Sequence, residues 1–112
     1  MGELAYFPSR APLQIGFDRA ELTLILNLYG RMVAAGHWRD YALSLGTDAA
    51  QFAAFRRTAE RPEICIEKRP SLRRAQGQWA LIGEAGQILK RGHELAGVLA
   101  PVERRLVKLV SV

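Results

Sequence analysis

The sequence predicts an α+β domain in two layers: an N-terminal amphipathic helix, an antiparallel meander of four or five strands, and a kinked C-terminal helix, with both helices on one sheet face. Three observations carry this. Apolar residues recur at helical spacing near both ends of the chain. Between them lie short apolar runs bounded by proline and glycine. With 112 residues, 49% hydrophobic and 24% charged, the chain has the composition of one folded domain rather than a disordered one. Much of the apolar share is alanine, so a thin core is expected.

Residues 1–16 read as an arm, and residues 17–112 as the domain. Pro8, Pro12 and Gly16 forbid a continuous helix in the arm, while Leu4, Tyr6, Phe7, Leu13 and Ile15 can anchor it. The first helix starts at Asp18 as N-cap, with Glu21 completing a capping box and Phe17 placed to staple onto Leu22. Leu22, Ile25, Leu26, Tyr29, Met32 and Val33 then form one core-facing stripe, and Gly36 supplies a left-handed stop. Leu24 and Leu28 lie off that stripe, which suggests a second covered face.

Residues 37–59 support two readings. Trp38, Tyr41, Ala42 and Leu45 match helical spacing, whereas Tyr41, Leu43 and Leu45 alternate as in a strand. A helix opening at Thr47–Gln51 would make a helix-turn-helix-like array; a turn starting at Gly46 would make a hairpin. Glu63–Glu67 is β-branched-rich between Pro62 and Pro70, and Ser71–Gln76 is a polar, basic loop. Gln78–Ile82 is apolar on both parities, and Gly83–Gly86 is a hairpin turn before Gln87–Lys90. Leu95, Val98, Leu99, Val102, Leu106 and Leu109 keep helical period, with a kink or restart expected at Pro101 near Ala100.

The charge is concentrated in one segment. Nine of the sixteen basic residues fall between Arg56 and Arg91 against Glu60, Glu63, Glu67 and Glu84, so that segment carries the whole formal net charge of +5. Guanidinium groups pair bidentately with phosphates and carboxylates, which points to a nucleic acid or an acidic protein surface as partner. The candidate anion-binding set is Arg56, Arg57, Lys68, Arg69, Arg73, Arg74, Lys90, Arg91 and His93. In particular, Arg73 and Arg74 are placed to converge with Lys68 and Lys90. At a strand-to-helix junction, Lys90, Arg91 and His93 would hold a phosphate over the amides of Gly92, His93 and Glu94. The blander reading makes Gly92 or His93 the N-cap and lets Glu94 satisfy the dipole. The whole basic segment likewise reads as a solvated face, with arginine stems covering a thin core.

Catalytic and cofactor signatures are missing from the sequence. Four serines and two histidines fit no triad or nucleophile elbow, and no phosphate-binding glycine loop occurs. His37, His93 and the single Cys65 lack metal-ligand spacing, so no cofactor is expected and Cys65 reads as a buried, inert thiol. With no membrane span and no secretory signal, the expected compartment is the cytoplasm.

Several strings are specific enough to carry a resemblance: Leu28–Gly36 (LYGRMVAAG), Trp38–Ala42 (WRDYA), Phe55-Arg56-Arg57, Ile66–Pro70 and Ile88–Leu95. With them the chain resembles, over roughly residues 16–110, a small uncharacterised bacterial family known only as a domain of unknown function. The resemblance implies strands where residues 40–57 lie, favouring the hairpin. It implies no activity, cofactor or catalytic residue. Ala49, Ala50, Ala53 and Ala54 depart from the family's pattern and keep the helical reading open.

The leading functional expectation is a non-enzymatic module that contacts nucleic-acid phosphates through residues 56–91. The alternative is a structural or interaction protein, a homodimer or accessory subunit, with Leu24, Leu28, Trp79 and Leu81 at its interface.

Overall fold

The structure, a computed structural model, describes residues 14–58 and 61–111. The arm anchors Leu4, Tyr6, Phe7 and Leu13, and the acid Glu60, lie outside the described residues. Helix α1 spans Arg19–Ala34 and opens on the expected capping box. Asp18 Oδ1 accepts from the Glu21 amide at 2.8 Å, and Glu21 Oε1 accepts from the Asp18 amide at 2.9 Å. The helix ends where Gly36 turns left-handed at φ +78°. There the Gly36 amide donates to Val33 at 2.9 Å and the His37 amide to Met32 at 3.0 Å, a Schellman closure. That reversal delivers His37, Trp38 and Arg39 to the sheet.

Five strands follow: β1 Asp40–Leu45, β2 Ala50–Phe55, β3 Ile64–Lys68, β4 Trp79–Gly83 and β5 Ile88–Gly92. Each pairs antiparallel with the next, and the spatial order is the chain order, a meander. Residues 37–59 are thus a hairpin, closed where the Gly46 amide donates to Ala49 O at 3.0 Å. Burial decides this against alanine's helical preference. Ala50, Phe52 and Ala54 are buried and alternate with half-buried Gln51, Ala53 and Phe55, a period of two.

Helix α2, Leu95–Val110, returns over the same sheet face as α1. In register, Phe52, Ile66 and Leu81 lie side by side across β2, β3 and β4. Ile25, Leu28 and Met32 of α1 and Val98, Leu99 and Val102 of α2 share one core cluster with them. Pro101 stands inside α2 without dividing it. The expected restart does not occur, and the proline's missing N–H leaves only the Gly97 carbonyl without its helical donor. The N-cap is Glu94 rather than Gly92 or His93.

The interface set needs correcting. Leu28, Trp79 and Leu81 are 1%, 3% and 1% exposed, consumed by the subunit's own core. Leu28 falls three residues after Ile25 and four before Met32, so it belongs to their stripe, and Val33 is rotated out to the surface. Among the four, only Leu24 remains exposed, at 42%. The double apolar parity of β4 has a local cause: Trp79 and Leu81 face the helices, whereas Ala80 lies between Glu67 and Arg91 on the other face. Phe17, expected to staple onto Leu22, stacks on Trp79 with ring centroids 6.1 Å apart.

Candidate functional site

The strand register sorts the basic residues into two groups. Arg56 and Arg57 follow the end of β2, where Ala54 pairs with Ile64 and Ile64 with Gly83. Lys68 and Arg69 close β3 at the opposite end, where Lys68 pairs with Trp79 and Trp79 with Gly92. Arg73 and Arg74 extend from that far end through the Pro70–Leu72 3₁₀ turn, and His93 follows Gly92. Lys90 sits in mid-strand opposite Leu81, with an exposed side chain. The structure therefore does not bring the nine predicted residues into one patch.

Lys68, Arg69 and Arg91 are engaged internally. Lys68 Nζ donates to Gly16 O at 3.0 Å and to Glu21 Oε1 at 2.7 Å, and lies 5.8 Å from the Trp79 ring centroid. It clamps α1 to β3, so the expected convergence with Arg73 and Arg74 is corrected. Arg69 forks onto Glu67 at 3.3 and 3.2 Å, joined by Gln51 Nε2 at 3.0 Å. Arg91 donates from Nη1 to Gly77 O at 3.3 Å, and at the start of α2 Glu94 already sits at the positive end of the dipole. Burial works to raise the pKa of Glu67, but hydrogen bonds from Arg69 and Gln51 and the charges of Arg69 and Arg91 hold it below the usual carboxylate range. Beside it, burial, aided by the Glu67 charge, pushes the Cys65 thiol up to about 11, which suits an inert group.

At the other end, Glu63 is a hub that the sequence did not single out. Its Oε1 accepts from Trp38 Nε1 at 2.6 Å and from Arg105 Nη2 at 2.5 Å. Its Oε2 lies 3.2 Å from His37 Nε2 and 3.7 Å from Arg56 Nε. Burial opposes its ionisation, yet the hydrogen bonds from Trp38 and Arg105 and the charges of Arg105 and His37 hold its pKa below the ordinary value. The Schellman turn, the strand start after Pro62 and the last turns of α2 thus meet on one carboxylate. That carboxylate anchors His37 and Arg56 from beneath.

Above the hub lies a cleft of about 400 Å³ lined by Gly36, His37, Arg39, Arg56, Arg57 and Thr58. The Arg39 amide donates to Phe55 O at 2.8 Å, which sets the Arg39 backbone beside that of Arg56. A second lobe of about 460 Å³ shares the wall Gly36, Arg39 and Thr58 and adds Val33 and Trp38. Among the described residues no carboxylate lines either lobe. Arg56, Arg57 and Arg61 also border a neighbouring depression with Glu84. Sequence reasoning found Arg56 and Arg57 but missed His37, Arg39, Glu63 and Arg105. Arg39 lies outside the charge-rich segment, and Glu63 meets Trp38, His37 and Arg105 across separations of 25 to 42 residues.

The fold and this corner define a small α+β domain with a basic cleft, lined by no carboxylate among the described residues, at one end of an antiparallel meander. The chain belongs to a family described as "Protein of unknown function (DUF2794)", whose model matches residues 15–99. Its match stops at Leu99, so Glu103 and Arg105 of α2 lie beyond it. No curated protein and no solved structure matches the chain. Among the described residues no helix is long and apolar enough to cross a membrane, and no group of three or more His, Cys, Asp or Glu side chains is placed to hold a metal ion.

Proposed function

We propose that the protein is a non-enzymatic nucleic-acid-binding module that engages phosphates at the Arg39–Arg56–Arg57 corner, with Arg73 and Arg74 as a secondary contact at the far end of the sheet. One observation carries this reading: three arginines and a histidine converge on a cleft that no described carboxylate lines, and Glu63, which pairs with His37 and Arg56, is also paired with Arg105. A cluster of guanidinium groups suits the evenly charged backbone of a nucleic acid. The footprint is smaller than the sequence suggested, because Lys68, Arg69 and Arg91 serve the fold.

Binding of a single-stranded 20-mer is expected to weaken with salt along a log–log slope of roughly −2 to −3, one increment of 0.7–0.9 for each of three phosphates. Arg56→Gln with Arg57→Gln should flatten that slope by roughly 1.5. Fluorescence anisotropy at several salt concentrations measures both. Affinity no better than millimolar at about 50 mM salt would sink the reading, since even non-specific binders do better.

A second reading, an interaction protein, is favoured by edge strand β1. Tyr41, Leu43 and Leu45 are 42–45% exposed along one side of it, and its six residues hold no lysine, arginine or proline. Such an edge lacks the usual safeguards against pairing with another strand. Light scattering over a micromolar concentration series is expected to show self-association that Leu43→Lys abolishes while the thermal midpoint stays within a few degrees. A clean wild-type monomer throughout excludes the homodimer.

A further inference from the structure

We infer that the two-lobed cleft takes a nucleoside phosphomonoester, a terminal dianionic phosphate with the sugar and base attached to it, rather than the internal phosphodiesters of a strand. This rests on the nucleic-acid reading above and sharpens it. Three features of the corner carry it.

The first is charge density. Arg39, Arg56, Arg57 and His37 line one lobe of about 400 Å³, and Arg105 stands against Glu63 below it. An internal phosphodiester brings one negative charge to such a cleft, whereas a terminal phosphate brings nearly two and three exposed oxygens. Several planar forks on one compact group match the second better. Arg39 makes no side-chain hydrogen bond or ion pair among the described residues, so it can turn to a ligand without breaking an internal contact.

The second is shape. The lobes of about 400 and 460 Å³ each fall within the roughly 300–1,000 Å³ range of small-molecule pockets, and they meet at Gly36, Arg39 and Thr58. A phosphate held by the first lobe directs its attached sugar and base along Val33 and Trp38 in the second. The Arg39 guanidinium on the shared wall can serve the phosphate or stack on a base. A continuous backbone, by contrast, has to enter and leave the basic lobe.

The third is the floor. A helix C-terminus repels anions, and α1 ends at this cleft. Its Met32 and Val33 carbonyls are turned into the Schellman bonds from His37 and Gly36. An added Cβ on Gly36 would meet nothing within 4 Å, so the floor there is open space. The Glu63 carboxylate beneath is taken up by Trp38, His37 and Arg105, with Arg56 Nε 3.7 Å away.

The chemistry has two sources, the 5′-phosphorylated end of a strand and a free nucleoside monophosphate, and the experiment separates them. Two dT10 strands with a 3′ fluorophore, one 5′-phosphorylated and one 5′-hydroxyl, are titrated with the full chain at about 50 mM salt. Adenosine 5′-monophosphate and inorganic phosphate are then added as competitors. The phosphorylated strand is expected to bind about tenfold tighter or more, and adenosine monophosphate to displace it better than inorganic phosphate. Arg39→Gln and Arg56→Gln should each erase the preference, whereas Arg73→Gln with Arg74→Gln should leave it. Circular dichroism and thermal midpoints of each variant establish that the fold is intact.

Binding of adenosine monophosphate with no strand binding supports the cleft assignment, names the free nucleotide as the source, and removes the nucleic-acid reading. Equal binding of the two strands overturns the phosphomonoester inference and leaves the nucleic-acid reading standing. A preference that persists in both cleft variants also overturns the inference. Binding of neither strand nor nucleotide overturns both.

Discussion

Glu63→Gln is expected to lower stability by roughly 2–3 kcal/mol, which shifts the thermal midpoint by about 10 °C in a domain of this size. Removing one partner of a fully buried charge pair costs about 3–5 kcal/mol. The lower figure applies here because Arg105 and Arg56 keep 38% and 58% of their side-chain surface, so water takes over part of the loss. What remains is still large. Trp38 Nε1 and Arg105 Nη2 share one oxygen, and a glutamine can accept from them but turns its NH₂ toward Arg56, which needs an acceptor, and withdraws the charge that faces His37. Arg105 Nε is already buried without a partner among the described residues.

The same carboxylate gives an acid signature. Glu63 and Glu67 both have pKa values lowered by folding. The unfolded chain therefore binds their protons more readily, and the stability they contribute is present above the unfolded value of about 4.3 and lost as pH falls through the folded values. Urea midpoints should be level from pH 7 to about 5 and drop below that, with a shallower drop in Glu63→Gln. A variant matching wild type in midpoint and acid limb would show that the hub is ornamental.

Gly77→Ala is the second large effect, expected near 3 kcal/mol. Gly77 adopts φ +103°, and a Cβ built there would stand 2.3 Å from both the Gly92 carbonyl carbon and its oxygen. Those atoms are backbone at the end of β5, so relief requires moving a strand rather than a side chain. Left-handed strain costs about 1–2 kcal/mol for an L residue, and overpacking adds a similar amount. Gly36→Ala is the internal control. Its φ is also positive, at +78°, but nothing lies within 4 Å, so only the conformational cost of about 1 kcal/mol applies. Equal midpoints for the two variants would refute the close approach of Gly77 to Gly92.

The sequence announced elements better than it announced neighbours. The capping box at Asp18 and Glu21, the Gly36 stop and the hairpin at Gly83–Gly86 are local patterns and each occurs as read, while the two helices form with stripes that shift at Leu28, Val33 and Leu109. The alanine-rich β2 was equivocal because its small residues fit under helices by burial, which propensity does not encode. Leu28 was misplaced because a stripe drawn through Leu22 and Val33 is tilted from the one that packs. The functional corner was half legible. Arg56 and Arg57 stood out by charge density, but which cations fold inward depends on partners such as Glu21 for Lys68 and Glu67 for Arg69, and pairing across the fold leaves no spacing to read.

The sequential strand order has a kinetic consequence. Each strand's partner is the next in the chain, so the sheet can close hairpin by hairpin, and every step ties only a short loop. The longest hydrogen-bonded separation among the described residues belongs to α2, Arg31 with Glu103 across 72 residues, beyond Lys68 with Gly16 across 52 and Glu63 with Arg105 across 42. Contacts that span so much chain are the slow ones to form, and topologies dominated by neighbours fold faster than sandwiches or barrels. The basic corner receives its last member, Arg105, from the element that docks across the longest loop. Its floor is therefore complete only once the C-terminal helix has arrived.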